Sequence, residues 1–354
     1  MTPAEWTLLP IGVSIVAILA FIPAAGMTWL IASLGLILSF VQCFDNMFGQ
    51  LILIASLAVV LCSRRQPGEF HILLLSSTLG ALVCTQARDF ITLFVGIELL
   101  SLPIYGLIGF DSKNAKNLTA AIKYLVLAGT SSAFMLMGIV FLYAETGSMA
   151  LHFTGPLGSC LFLAGICFKL SLAPFHLWTP DVYNDAPLPV TAFLATVSKI
   201  AFVSILMQFS PSPKLMPVLM AVAVLSMLVG SILTLKADKM ARFLAYSSIA
   251  HMGYVMVAWM THSNIAFYMA AYTVSLLVIF CALMLDFEKI AILGLLSLMG
   301  IPMTPIFWAK YQVLISAFAA HQPVLFGVFI VSSFISVYGY GRVIARICQR
   351  TKLS

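Results

Sequence analysis

Charged side chains are scarce in this chain. Only 8% of its 354 residues are Asp, Glu, Lys or Arg, while 62% are hydrophobic and the mean hydropathy is +1.08. Soluble domains carry about 25% charged residues, so most of this chain has no water-facing surface to cover. The shortage argues against a soluble protein. It predicts an all-α, polytopic membrane bundle surrounded by lipid, with no nucleic-acid partner.

Three further absences narrow the chemistry. The seven cysteines form no C-x-x-C pair and lie almost entirely in apolar runs, which argues against a metal or disulfide framework. The sequence has no Gly-rich phosphate loop, nucleotide fingerprint or haem motif, so we expect no cofactor and no metal on this chain. The first ten residues, "MTPAEWTLLP", carry no basic residue ahead of the apolar run. We therefore expect no cleaved signal peptide and a first run that stays as a membrane helix.

Long apolar runs make up most of the chain. Thirteen of them are long enough, at about 20 residues, to span a bilayer as helices. They fall at 6–22, 27–43, 46–62, 70–87, 89–110, 118–143, 157–178, 188–209, 215–235, 239–260, 264–285, 289–319 and 323–346. The twelfth run is unusually long and contains "MGIPMTP", so we expect a broken helix there.

The basic residues in the predicted loops are unevenly distributed. Twelve of the eighteen follow odd-numbered spans, whereas only Arg88 and Lys214 lie at the opposite ends. The positive-inside rule makes the odd-numbered ends cytoplasmic, so we expect the N-terminus outside and the C-terminus in the cytoplasm. A wrong number of spans would scramble this asymmetry, which supports thirteen.

Five charged residues lie in the interior of predicted spans rather than at their ends: Lys123, Lys169, Lys199, Lys310 and Glu98. A lysine near the bilayer centre costs about 3 kcal/mol, so four of them require a hydrated interior or an acidic partner. One interpretation is structural, with ammonium groups that snorkel to the surface or join helices by ion pairs. Snorkelling suits Lys123, near the start of the sixth span. It suits the other three lysines poorly, because long apolar stretches flank each of them.

The second interpretation is proton handling. Burial favours the uncharged form of a lysine, and a nearby carboxylate favours the charged form. A pair of Glu98 with a lysine that opens and closes would therefore load and unload a proton. His251, and more weakly His176, could relay protons because histidine titrates near neutrality, although each could equally be a satisfied histidine of the bundle interior.

Prolines inside two spans favour the second interpretation. Pro174 and Pro302 each remove a backbone hydrogen bond, and irregular backbone at membrane depth survives only where it lines a cavity or is covered by protein. Spans four to eight and nine to thirteen then form two inverted five-helix repeats, and the fourth member of each has a break beside a lysine. The predicted division is 1–69 for the first three spans, 70–210 and 211–346 for the two repeats, and 347–354 for a cytoplasmic tail.

Several stretches resemble a known family. They are "GIELLSLPIYGLIGF", "AIKYLVLAGTSSAFMLMG", "FKLSLAPFHLWTPDVYNDAPLPVTAFLATVSKIA", "RFLAYSSIAHMGY" and "LMGIPMTPIFWAKY", which together cover about residues 85–320. The chain resembles the antiporter-like subunits of bacterial respiratory complex I, the proton-pumping NADH:quinone oxidoreductase, which are related to Mrp cation/proton antiporters. "HLWTPDVY" followed by "APLPVTAFLATVSK" is similar to the subunit N branch of that family.

The resemblance implies roles for the buried charges. Glu98 is similar to the glutamate of the fifth span, Lys169 to the pumping lysine of the broken seventh span, and Lys199 to the connecting lysine of the eighth. Lys310 resembles the terminal lysine of the twelfth span, and Lys123 a lysine of the sixth. The chain is then expected to translocate protons in the bacterial inner membrane, beside antiporter-like subunit M and small membrane subunits. FMN, iron–sulfur clusters and quinone are expected on other subunits.

The chain also departs from this family. Family members usually have fourteen helices, whereas no fourteenth span follows "ARICQR" here, and the connection "LDFEKIA" is short. These departures leave other functions open. The alternatives are a subunit of a multi-subunit cation/proton antiporter, the membrane arm of a hydrogenase-linked complex, and a structural member of the arm that no longer pumps.

Overall fold

The computed structural model describes residues 8–20, 27–43 and 46–353, so the predicted uncleaved N-terminus at 1–7 lies outside the described residues. Within these ranges the regular structure is helical, apart from one antiparallel bridge between Asp89 and Ala150. Fifteen helices follow one another in the described part of the chain. They are α1 Leu9–Ala20, α2 Thr28–Gln42, α3 Met47–Cys62, α4 Gly68–Gln86, α5 Phe90–Ile108, α6 Ala115–Thr146, α7 Pro156–Lys169, α8 Thr179–Asp185, α9 Leu188–Met207, α10 Met216–Thr234, α11 Met240–Met260, α12 Ile265–Met284, α13 Glu288–Met299, α14 Pro305–Ala319 and α15 Pro323–Leu353.

Eight of these helices are long and apolar enough to cross a membrane, namely α4, α5, α6, α9, α10, α11, α12 and α15. Four shorter apolar helices, α1, α2, α3 and α7, accompany them in the described residues. The helices α13 and α14 divide the predicted twelfth span between them. The all-α membrane architecture is therefore confirmed, while the number of thirteen spans stays a prediction.

Polar side chains mark the start of several helices. A side-chain oxygen of the residue before the helix accepts a hydrogen bond from a backbone N–H of its first turn, which otherwise lacks a partner. Asn46, Asp89, Asn114, Asn264 and Thr304 cap α3, α5, α6, α12 and α14 in this way. The backbone N–H and hydroxyl of Thr92 hold the pKa of Asp89 below its usual range.

Four helix ends turn out of the helix through a left-handed residue that is not glycine. Ser171, His262, Asp286 and His321 have φ of 61°, 52°, 59° and 52°. At the end of α7, Leu172 N–H bonds to Cys167 O at 2.8 Å and Ser171 N–H bonds to Phe168 O at 2.9 Å. These two bonds form a Schellman motif, which ends the helix at Lys169. The predicted span 157–178 is therefore helical only to Lys169, and the cause is this motif rather than Pro174.

The last helix is longer than the predicted span at 323–346. The residues assigned to a tail at 347–354 continue α15 as far as Leu353. No proline or glycine follows Tyr340 except Gly341, so nothing in the sequence stops the helix at residue 346.

The helices pack into two compact units. The first consists of residues 1–162 and 185–209, and the second of residues 163–184 and 210–354. In the first unit, Phe90, Phe153, Phe162 and Phe209 form one aromatic cluster, with the Phe153 and Phe209 rings stacked at 4.0 Å. In the second unit, α10 and α11 lie so close that a Cβ on Gly230 would overlap the Ala250 backbone. The segment after Lys169 packs with the second unit.

Candidate functional site

The break between α13 and α14 leaves backbone carbonyls without helical partners. Helix α13 ends at Met299, and Gly300 follows with φ of +84°, a value that favours glycine because it has no Cβ. Helix α14 restarts at Pro305, with the Thr304 hydroxyl accepting from Phe307 N–H at 3.4 Å. The last carbonyls of a helix have no partner within it and carry the negative end of the helix dipole. The break therefore presents an acceptor site for a cation.

Lys310 occupies that acceptor site. Its side chain is only 7% exposed, and Nζ donates to Leu298 O at 3.3 Å and to Met299 O at 3.4 Å. Nζ also lies 5.2 Å from the centre of the Tyr254 ring, within the range of a cation–π contact. Among the described residues no carboxylate forms an ion pair with Lys310. Backbone carbonyls and an aromatic face thus hold this charge in place of an acidic side chain.

His251 lies beside Lys310. It belongs to α11, is 2% exposed, and both its ring nitrogens face tyrosines. Nδ1 lies 2.8 Å from the Tyr268 hydroxyl, and Nε2 lies 3.5 Å from the Tyr340 hydroxyl. The His251 ring also lies 5.8 Å from the Tyr254 ring, the ring that Lys310 Nζ approaches to 5.2 Å. The structure therefore brings two of the predicted site residues, Lys310 and His251, onto one tyrosine.

Hydroxyl groups surround this pair, and sequence reasoning missed them. Tyr254 Oη lies 3.0 Å from Ser332 Oγ, with Ser333 Oγ at 3.5 Å, and the Tyr340 hydroxyl is hydrogen-bonded to Ser247. The spacing of Ser332, Ser333, Ser336 and Tyr340 along the last span, and of Tyr268 and Tyr272 along the eleventh, was a readable signal. Hydroxyls three or four residues apart share one helix face.

A cavity of about 320 Å³ adjoins Lys310. Its lining is largely apolar and includes Phe307, Leu314 and Phe329, with Lys310, Tyr311 and Ser333 as the side chains that carry hydrogen-bonding groups. One liquid water occupies about 30 Å³, so the cavity has room for several. Hydrogen-bonding partners for water are offered only at the end formed by Lys310, Tyr311 and Ser333.

The break after α7 is organised differently. Lys169 is the last residue of α7 and is 2% exposed. The indole N–H of Trp178 donates to Phe168 O at 3.2 Å, and Ala173 N–H donates to the Ser226 hydroxyl at 2.9 Å. The irregular segment thus has its own donors and acceptors, and its lysine lies at the helix end rather than beyond it.

Lys199 belongs to the first unit and follows a π-helical turn. Leu194–Ser198 form this turn inside α9, and Lys199 is the residue after it, with 1% exposure. Single π-turns insert one extra residue into a helix and occur frequently at functional sites. Lys199 is therefore a buried charge directly after an irregular turn.

Glu98 and Lys123 also belong to the first unit. Glu98 lies on α5, with Oε1 buried and without a hydrogen-bond partner in the described part of the chain. Its charge acts on the nearby phenols of Tyr105 and Tyr124, whose rings meet edge to face at 5.4 Å. Lys123, on α6, is exposed. Of the six predicted site residues, Lys123 is therefore the one whose placement fits snorkelling best.

Two further polar side chains, His176 and Asp181, lie after the end of α7. Asp181 lies on α8 and forms an ion pair with Arg242 at 3.7 Å. The His176 Nδ1 is buried without a hydrogen-bond partner among the described residues. In the same residues no three His, Cys, Asp or Glu side chains come together as metal ligands.

The sequence matches a family of membrane subunits. Residues 87–289 match the family described as "NADH:quinone oxidoreductase/Mrp antiporter, TM". The match includes Lys169, Lys199 and His251, and it ends before Lys310.

Individual relatives carry one name. NADH-quinone oxidoreductase subunit N of Ectopseudomonas mendocina is 36% identical over 94% of this chain and 79% of its own length. The protein of the same name from Methylococcus capsulatus is 36% identical over 87% of this chain and 74% of its own length.

Solved structures share the fold. A chain of respiratory complex I from Thermus thermophilus with bound aureothin is 30% identical, with a TM-score of 0.86 over 94% of this chain and 88% of that one. A chain of the Mrp complex from Dietzia sp. is 18% identical, with a TM-score of 0.78 over 96% and 79% of the two chains, a likeness of fold alone.

Proposed function

The chain belongs to the NADH:quinone oxidoreductase/Mrp antiporter family of membrane subunits, and from this we propose that it is a subunit N-type member of the membrane arm of an NADH:quinone oxidoreductase. Its part in that enzyme is proton translocation. Electron transfer takes place on other subunits, where we assign FMN, the iron–sulfur clusters and quinone. The NADH-quinone oxidoreductase subunit N of Ectopseudomonas mendocina, 36% identical over 94% of this chain, supports this assignment.

The proposal includes a location and partners. The chain is an integral protein of the bacterial inner membrane, with its basic loop ends in the cytoplasm and its N-terminus outside. Antiporter-like subunit M and small membrane subunits are its expected neighbours. Two inverted five-helix repeats, at 70–210 and 211–346, form the proton-translocating part.

One observation carries the proton-handling role. A buried lysine lies at each of the two helix breaks, and Lys310 rests on the carbonyls that its break exposes. Backbone carbonyls accept hydrogen bonds from a lysine in either protonation state, so loss of the charge leaves no buried anion behind. A carboxylate partner would instead hold the proton by full charge attraction. Carbonyl acceptors therefore suit a lysine that must release its proton.

The proposed route follows the buried charges. Glu98 and Lys169 pair or separate as the enzyme turns over, which loads and unloads Lys169. Its proton passes through Lys199 and His251 to Lys310, and Lys123 acts at the entry side. Lys310 then releases the proton to the outer side through the adjoining cavity of about 320 Å³. Moving one charge against 100 mV costs about 2.3 kcal/mol, which redox chemistry elsewhere in the enzyme must supply.

Co-purification tests the assignment to the enzyme. The chain is tagged, the membranes are extracted in mild detergent, and a native gel is stained for NADH dehydrogenase activity. We expect the tag and the activity in one large band. A tagged band without dehydrogenase activity would contradict the assignment and favour cation/proton antiport, the second function that the family description includes.

Lysine variants test the proton route. In vesicles containing the purified enzyme, Lys310→Ala and Lys169→Ala are expected to abolish NADH-driven acidification of the outer side. Lys289→Ala, at the exposed start of α13, is the matched control and is expected to pump normally. Normal pumping by both variants with normal assembly would support a structural member of the arm instead.

A further inference from the structure

The two hydrogen bonds of the His251 ring are unequal. The Tyr268 hydroxyl lies at 2.8 Å from Nδ1, a normal hydrogen-bond length, whereas the Tyr340 hydroxyl lies at 3.5 Å from Nε2, at the limit of such a bond. The hydrogen bond at one ring nitrogen determines which nitrogen carries the proton. When Nδ1–H donates to the Tyr268 hydroxyl, Nε2 is the nitrogen that can accept a proton, and proton uptake at Nε2 requires this tautomer.

The Tyr340 hydroxyl leads away from the ring toward one end of the second unit. Tyr340 is hydrogen-bonded to Ser247, one turn before His251 on α11. Ser247 lies seven residues from Met240, where α11 begins, and that distance is about 10 Å along the helix. The hydroxyl pair therefore lies on the side of His251 that faces the start of α11.

A small cavity, lined mainly by apolar atoms, lies at that end. Its volume is about 70 Å³, and Asp238, Lys239 and Arg346 line it together with Val343. Val343 is one turn beyond Tyr340 on α15, so a single helical turn separates the cavity from the hydroxyl pair. Arg342 binds Thr234 O at 3.2 Å and Ala237 O at 3.1 Å and so joins α15 to the end of α10 there. The end is the basic one that the loop charges place in the cytoplasm.

We propose that Ser247 and Tyr340 form a proton-uptake path from this basic end to His251, and that Tyr268 is the positioning residue that orients the ring. The inference rests on the proposed function, because it needs Lys310 to release protons. The inference adds a second path, which takes up protons at the basic end of the second unit. The route through Lys169 and Lys199 does not include that end.

The transfer balances with the groups present. Ser247 Oγ takes a proton from a hydronium ion of the water at the basic end, which is left as neutral water, and gives its own hydroxyl proton to Tyr340. Tyr340 gives its own proton to Nε2, so both hydroxyls end neutral and His251 becomes an imidazolium. The imidazolium then protonates an uncharged Lys310, whose Nζ faces the same Tyr254 ring as the imidazole. One proton enters for each proton that Lys310 has released.

A purely structural role predicts different behaviour. The Tyr340 ring packs edge to face on Phe243 at 4.9 Å, and this packing survives when tyrosine is replaced by phenylalanine. A structural hydroxyl would therefore change assembly without making proton transfer slower. Solvent deuterium separates the two roles, because it slows a proton-transfer step and leaves packing unchanged.

The test uses the complete enzyme reconstituted in vesicles, with NADH oxidation and proton pumping measured in H₂O and in D₂O. Tyr340→Phe and Ser247→Ala are expected to lower coupled turnover about 10- to 100-fold, in the range that a positioned proton-transfer group contributes, and to enlarge the solvent isotope effect. Ser247→Thr keeps a hydroxyl and is expected to restore turnover. Tyr338→Phe, on the same helix but 69% exposed, is the matched control with wild-type values.

Each outcome decides the matter. Wild-type turnover and isotope effect in Tyr340→Phe and Ser247→Ala would overturn the uptake path. The path would also be overturned if Ser247→Thr lost turnover as Ser247→Ala does and the isotope effect stayed unchanged. Lys310→Ala is measured in parallel. If it pumps normally, the proposed function fails. If it alone stops pumping, only the uptake path fails.

Discussion

The two broken segments of the second unit satisfy their backbone by different means. After α7, the N–H groups of Ser171 and Leu172 and the indole of Trp178 bond to the last carbonyls of the helix. After α13, Lys310 itself reaches back to Leu298 O and Met299 O. At the first break, N–H groups of the segment itself thus hold the Cys167 and Phe168 carbonyls, whereas at the second break a lysine holds the Leu298 and Met299 carbonyls.

Replacing each lysine by alanine is expected to have the largest effect of the substitutions that compare the two breaks. Both Lys169→Ala and Lys310→Ala are expected to abolish proton pumping. Lys310→Ala removes the donor to Leu298 O and Met299 O, at about 1–3 kcal/mol for a lost partner, so it should also weaken the subunit. Heating the enzyme before native electrophoresis should release the Lys310→Ala subunit at a lower temperature than the Lys169→Ala subunit. Equal release temperatures would show that the second break does not depend on its lysine.

Trp178→Phe tests how the first break is held. The variant removes the indole N–H from Phe168 O and retains an aromatic ring to stack on Phe168, at 5.6 Å in the native protein. We expect a loss of about 1–2 kcal/mol in stability, because one buried hydrogen bond is lost, with pumping still present. Thermal release measures the change in stability, and vesicle acidification measures pumping. Loss of pumping at normal stability would instead assign Trp178 to the proton route.

Substitutions at a left-handed residue of each break, Ser171 and Gly300, should change stability by different amounts. Gly300→Ala places a Cβ at φ of +84°, which costs about 1–2 kcal/mol, and brings it within 3.4 Å of Lys310 Cδ. Ser171→Gly relieves a strained φ of 61° while freeing the unfolded chain, so the net change should stay below about 1 kcal/mol. Parallel thermal release assays compare them. A larger loss for Ser171→Gly would reverse the comparison.

The ion pair on α8 should have the smallest effect. Asp181 and Arg242 are separated by 3.7 Å and are 38% and 46% exposed. Exposed pairs contribute about 0–1 kcal/mol, so Asp181→Asn should change stability by no more than that and leave pumping intact. Arg242→Gln, which removes the same ion pair from its other side, is the matched control. A pumping defect confined to Asp181→Asn would make this carboxylate a proton ligand.

Hydropathy and charge predicted the main features because membranes impose strong rules. Nearly every helix of the described residues coincides with an apolar run, and Lys169, Lys199, Lys310 and His251 are all buried. A buried lysine is readable because few side chains cost more at membrane depth. Which of these residues exchange protons stays a prediction.

The details that sequence reasoning missed depend on contacts distant in the chain. The end of α7 at Lys169 rests on a left-handed serine, and serine carries no such signal by itself. The tyrosines around His251 come from three separate helices, and each alone reads as an aromatic residue of a membrane span. Lys123 was counted within a span, yet its position on the face of α6 leaves it exposed.

The π-turn before Lys199 has a consequence for sequence change over evolution. The turn holds one residue more than a regular α-helix would, and a helix advances by about 100° per residue. Deleting one residue from Leu194–Ser198 would restore a regular helix and leave the two halves of α9 facing as they do now, so Lys199 would stay buried. A deletion in a regular stretch of α9 would instead turn every later residue by about 100°. Single-residue deletions should therefore be tolerated better in this turn than in the rest of the helix.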